Sequence, residues 1–300
     1  MQAQQAQLPG GRWHFQHGPM DIIIDAAGDA VALKDAHDQA WQRFKSILQE
    51  LVQELPLLRR PVSGACPVDG PIARRMWHAC KPYQSSCVTP MAAVAGSVAQ
   101  ELLQFYQGNG IQRAWINNGG DIAIYLAAGQ SVRVGLYANL EKYDAEQLEK
   151  GITLDGQFEI CSESAVRGVA TSGWRGRSFS LGIADSVTVL ARTAAQADAA
   201  ATVIANAVNL EDDRIIRRPA CDIKDDSDLG AKLVTVVVPQ LPLELIRQAL
   251  AAGLVRALTL QAQGLICSAV LVCQNQHMTT AAVMRNQPKE VTAPAACSTE

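Results

Sequence analysis

Apolar residues recur three and four apart between Asp38 and Leu55, at Trp41, Phe44, Ile47, Leu48, Leu51, Val52 and Leu55. That spacing predicts an amphipathic helix stopping near Pro56. Ahead of it, GPMDIIIDAAGDAVAL predicts two strands around a turn at Ala26–Asp29. Residues 61–87 carry Pro and Gly breakers and predict a long loop. After Pro90, MAAVAGSVAQELLQFYQ predicts a second helix, followed by strands in AWINN, DIAIYLAAG and SVRVGLYA. GVATSGWRGRSFS predicts a loop, SVTVLA a strand, and Thr193–Val208 an Ala-rich helix. LVTVVV predicts a buried strand, PLELIRQALAAGLVRALTLQAQG a mostly helical stretch, and LICSAVLVC the last strand. Strands in hairpin-like groups with helices between them favour α+β over an alternating βαβ fold.

Composition narrows the picture. Hydrophobic residues make up 48% of the 300, enough for a sizeable core, and the net charge of −3 excludes a general electrostatic attraction to nucleic acid. The opening MQAQQAQLPGG is polar, with neither a basic nor an apolar signal region. No uncharged apolar run approaches the ~18 residues of a membrane span. The expectation is a cytoplasmic protein of one continuous domain over 12–287, with flexible tails at 1–11 and 288–300. The 8 cysteines show no CxxC pair. Cys66, Cys80 and Cys87 lie near His78 at spacings that match no familiar zinc site, so core or loop thiols are expected.

Four stretches could carry chemistry. Asp198 and Thr202 lie four apart in the Ala-rich helix, so carboxylate and hydroxyl share a face. Such a pair suits a hard oxygen-seeking cation such as Mg²⁺, or equally a polar pair turned to solvent. In INNGGDIAI, Gly119 and Gly120 interrupt an apolar strand, which marks a bulge or a close backbone approach. In GVATSGWRGRS, small and hydroxyl residues surround Arg175 and Arg177, as in a diphosphate-binding loop or an exposed turn. Gly96, inside a helix, implies tight packing or a ligand. Neither GxxxxGK[ST] nor GxGxxG occurs.

The order of these stretches resembles the ApbE family, whose members bind FAD and Mg²⁺ and transfer FMN to a Ser or Thr of target flavoproteins. The resemblance is carried by Val94–Gly96, Gly119–Asp121, Thr171–Gly173, Val187–Val189 and Asp198–Thr202. It is closer still to the UPF0280 branch, through TPMAAVAG, NNGGDIA, TSGWRGRSFSLGIADSVTVLA and SDLGAKLVTV, over roughly residues 12–285. The resemblance implies an ApbE-like fold, a mainly antiparallel mixed sheet with packed helices. It implies Asp198, Thr202 and the Val94 carbonyl as Mg²⁺ ligands. Met91, Gly96, Asn118, Gly119, Gly120, Asp121, Thr171, Ser172, Gly173, Arg175 and Arg177 would contact the flavin nucleotide. Where transferases of the family carry His-x-x-Asp-Pro, this chain has RSFSLGIADS. Asp185 is the only carboxylate there and the candidate base. The implied activity is chemistry at the FAD diphosphate, with an acceptor flavoprotein as partner. The alternatives are a non-catalytic flavin carrier or assembly factor, or the same fold with another ligand. Homo-oligomerisation is left open.

Overall fold

A computed structural model describes residues 2–136, 156–176 and 178–280. The chain opens with strands β1 (Gln4–Gln7), β2 (Trp13–His17) and β3 (Met20–Gly28). Helices α1 (Ala30–Leu58), α2 (Pro71–Cys80) and α3 (Val94–Leu103) follow. Next come β4 (Ile111–Asn118), β5 (Asp121–Leu126), β6 (Ser131–Leu136), β7 (Gly156–Cys161), β8 (Gly168–Ser172) and β9 (Ser186–Ala191). After α4 (Ala194–Ala207) stand β10 (Ile216–Pro219), β11 (Leu233–Val237), α5 (Leu243–Ala262), β12 (Ser268–Cys273) and β13 (Gln276–Thr279).

Nine strands form one sheet in the order β1-β2-β3-β4-β5-β8-β9-β12-β13, and each described pairing is antiparallel. The fold class is therefore α+β, as the grouping of strands predicted. Alternation along the strands divides the core. Ile22, Ile24, Ile116, Ala123, Ala170, Val187 and Val189 face the helices. Ile124, Val169 and Leu190 face the other way, against Val134, Phe158 and Ile160 of the β6–β7 hairpin.

Several elements differ from expectation. The N-terminal hairpin is β2–β3, not a pair of strands around Ala26–Asp29. Asp29 instead caps α1, its Oδ1 accepting from the N–H groups of Val31 and Ala32 at 3.0 Å each. Residues 61–87 hold α2, whose Ile72, Ala73, Met76 and Trp77 are buried. Its short length and the breakers on either side hid the helical period. Gln4–Gln7, assigned to a tail, form an edge strand exposed at all four positions, so no apolar alternation announced it. GVATS is strand β8 rather than loop. Among the described residues LVTVV pairs only with β10, outside the main sheet, and leaves Leu233 55% exposed. A further strand, β13, follows the one expected to be last. The expected C-terminal tail lies outside the described residues.

Candidate functional site

Antiparallel register gathers the predicted segments at one end of the sheet. Asn118 pairs with Asp121 across the β4–β5 turn, β5 joins β8 at Ile122–Val169, and Ser172 pairs with Val187. The turn itself explains the two glycines, since Gly119 and Gly120 have φ of 67° and 111°, where a side chain is strained. They make a two-residue hairpin, with the Gly120 N–H donating to Asn117 Oδ1 at 2.7 Å. A hairpin turn, not a bulge, is their local reason.

On the helix face of this end, α3 begins against α4. The Asp198 carboxylate accepts from the Gly96 N–H at 2.9 Å and also from the Ala95 N–H. Ala93, at the cap position of α3, supplies no side-chain bond, so Asp198 caps α3 from a different helix. A Cβ on Gly96 would stand 2.4 Å from the Ala194 carbonyl oxygen, so close packing of α3 on α4 accounts for this glycine. Asn118 Nδ2 donates to the Ala95 carbonyl at 3.2 Å, which ties the sheet end to the same helix start.

Asp121 completes the cluster. It is 9% exposed and accepts from the Thr171 N–H at 3.3 Å. Burial and the nearby Asp198 charge hold its carboxyl well above the usual range, against the Thr171 bond. Burial likewise raises Asp198, to about 7, while the Gly96 and Ala95 N–H groups oppose the shift. Two carboxylates thus share a desolvated site where the opposing groups are backbone N–H donors. Burial, reinforced by Asp198, also pushes the Cys80 thiol up, so α2 borders the site. Neither this use of α2 nor the Asp121–Asp198 pairing was legible in the sequence, where the two aspartates stand far apart.

The remaining predicted residues divide. Thr202 lies one turn beyond Asp198 on α4, and Val94 is the first residue of α3. Met91 sits half-buried in the single turn Pro90–Ala93 leading to α3. Ser172 alternates with Thr171 along β8. The Thr171 hydroxyl meets that of Thr188 at 2.9 Å, on the face away from the helices. A Cβ on Gly173 would stand 2.3 Å from the Asp185 carbonyl oxygen, so two chain segments cross there. Arg177 lies outside the described residues. Asp185, the expected base, already accepts three donors. Arg175 Nε (3.0 Å) and Trp174 Nε1 (3.2 Å) reach its Oδ1, and the Gln274 N–H (2.5 Å) reaches Oδ2. A carboxylate offers about four acceptor positions, so these three donors orient Asp185 and leave one position on Oδ2. Among the described residues, no group of three or more His, Cys, Asp and Glu forms a metal cluster, and Cys66, Cys80 and Cys87 are free thiols. No described helix is long and apolar enough to cross a membrane.

Residues 4–280 match the family model described as AbpE bacteria. A UPF0280 protein of Methanothermobacter thermautotrophicus is 38% identical over 172 residues, 57% of this chain and 61% of that protein's length. One of Methanothrix thermoacetophila is 36% identical over 190 residues, 62% of this chain and 73% of its own. Among solved structures, the flavinyl transferase ApbE of Pseudomonas stutzeri aligns over 93% of this chain and 96% of its own, at 13% identity and a TM-score of 0.44.

Proposed function

Because the chain belongs to the ApbE-like superfamily, in its UPF0280 branch, we propose that it is a flavin-transferase-like protein that binds FAD with Mg²⁺ at the Asp121–Asp198 end of the sheet. The observation that carries this reading is the desolvated carboxylate pair itself, with Asp121 buried and Asp198 half-buried. Two like charges in a desolvated site are unfavourable unless a proton or a cation joins them. Asp198, Asp121 and Thr202 offer hard oxygen donors, and the Val94 carbonyl at the start of α3 extends the set. These residues fit Mg²⁺, which when bound supplies positive charge to diphosphate oxygens. Asn118 orients the start of α3 through the Ala95 carbonyl. The Gly119–Gly120 turn gives a ligand close access to the backbone, and Arg175 supplies a guanidinium for a phosphate.

Calorimetric titration with FAD, with and without Mg²⁺, tests the reading. We expect binding that depends on Mg²⁺ and is abolished by Asp198→Ala. Unchanged affinity in that variant would sink the metal assignment. Chromatography of the bound flavin then separates two outcomes. Release of AMP or FMN marks chemistry at the diphosphate, as transfer to an acceptor flavoprotein or as hydrolysis. Intact FAD after long incubation marks a carrier.

A further inference from the structure

The stretch between β8 and β9 contains a clamp built on Asp185, a residue that the metal and flavin assignments leave unused. Trp174 and Arg175 follow Thr171–Gly173 directly, and Asp185 immediately precedes β9. Asp185 Oδ1 accepts from Trp174 Nε1 and Arg175 Nε, while the Arg175 guanidinium lies 4.9 Å from the Trp174 ring centroid. Its Oδ2 accepts from the backbone N–H of Gln274, in the β12–β13 turn. The Gln274 side chain in turn joins that turn to the segment before α5, donating to the Pro239 carbonyl at 2.6 Å and accepting from the Leu241 N–H at 2.9 Å. One carboxylate thus ties this stretch to the β12–β13 turn, and the Gln274 side chain carries the tie on to the segment before α5.

We propose that Asp185 is a positioning residue, which fixes Arg175 so that its guanidinium serves the diphosphate of the bound nucleotide. The proposal rests on the flavin-nucleotide reading above. Register supports it, because β8 ends and β9 begins at the same sheet end as Asn118 and Asp121. Exposure orders the pair: the Arg175 side chain is 26% exposed and that of Asp185 10%, so the carboxylate lies beneath and the cation above. A planar guanidinium held through Nε and stacked on an indole has lost most of its rotational freedom before a phosphate arrives. Pre-ordering of that kind lowers the entropic cost of binding an anion.

The test is a double-mutant cycle on the full chain, titrating FAD in the presence of Mg²⁺ and using riboflavin, which lacks the diphosphate, as a second probe. Asp185→Asn keeps an acceptor at nearly the same volume, so it serves where Asp185→Ala fails to fold. We expect Asp185→Asn and Arg175→Gln each to weaken FAD by about tenfold, with the double variant no weaker than either single. Riboflavin binding should be the same in all four proteins. Additive losses, or equal weakening of riboflavin, would reduce Asp185 to a structural anchor and overturn the proposal. Unchanged FAD affinity in Asp185→Asn or in Arg175→Gln would overturn it too. A wild-type protein that binds no FAD would overturn the flavin reading and this assignment with it. Binding by the wild type alongside insensitive variants would remove only the assignment.

Discussion

Two acidic sites bear on the same helix, α3, and they are built in opposite ways. Glu101, in its second half, has a side chain 5% exposed and is met by two cations, with Arg43 Nε and Arg75 Nη2 each 2.9 Å from a carboxylate oxygen. Arg43 also holds Glu50 on its own helix, and Arg75 donates to the Ser97 carbonyl, so α1, α2 and α3 are joined through this network. At the other end of α3, Asp121 is buried and Asp198 half-buried, and backbone N–H groups are what oppose the effect of desolvation on their ionisation. The first site is neutralised from within the chain and acts as a strut. The second is left with a charge requirement that protons or an external cation must meet. Buried carboxylates thus signal structure or binding according to what has been placed beside them.

The largest effect should come from breaking the strut. Glu101→Ala leaves Arg43 and Arg75 without their shared partner, and we expect a loss of about 3 kcal/mol in urea unfolding. A change well under 1 kcal/mol would remove the distinction between the two sites on the structural side.

A buried cation-forming group away from both sites gives a comparison in the opposite sense. His37 is packed against Trp13 and Phe15, with its Nδ1 2.6 Å from the Tyr106 hydroxyl. Burial lowers its pKa from 6.5 to about 4, against the Asp38 charge. Its contribution to stability is therefore present above 6.5 and is lost as the pH falls from there through about 4. The full span is at most about 3 kcal/mol. Denaturation midpoints at pH 7 and pH 4.5, for wild type and His37→Gln, check this, and the variant should show a shallower acid slope.

The acidic pair should respond the other way. Because the folded pKa of Asp198 is raised to about 7, its contribution favours the fold at low pH and is lost as the pH rises through about 7 in metal-free protein. Mg²⁺ competes with that proton, so its apparent affinity should climb over the same interval. Calorimetric titrations with Mg²⁺ and FAD at pH 6 and pH 8 should show the stronger binding at pH 8, and the reverse order would contradict the shared site.

The smallest effect separates charge from capping. Asp198→Asn retains an acceptor for the α3 N–H groups and removes the repulsion with Asp121. Metal-free protein should gain about 1 kcal/mol, roughly 2 °C in Tm, and Mg²⁺ with FAD should no longer raise that Tm. A fall in stability instead would mean that the anionic cap matters more to α3 than the repulsion does.

Much of the architecture was legible locally. Three-and-four spacing located α1 from Trp41 onward, and alternating apolar runs located β3, β4, β5 and β9. These signals are strong because each such element must bury one face. Where that pressure was weak, the reading failed. β1 has no buried position, α2 is short, and the start of α1 depends on the Asp29 cap more than on a hydrophobic stripe. Asp198 and Thr202 could be picked out as a pair because helical geometry alone sets their spacing, and the order of the glycine and hydroxyl motifs indicated the family.

What the chain by itself determined is thus the α+β class, most long elements and the types of residue available for chemistry. Only the tertiary structure decided how those residues are used. It brought Asp121 against Asp198 across a large sequence separation and made Asp198 the cap of a helix it does not belong to. It also bound Asp185 into a clamp with Arg175, Trp174 and Gln274. The reason is physical: a carboxylate's role depends on desolvation and on the donors within a few ångströms, and both are set by contacts between segments that sequence spacing does not encode.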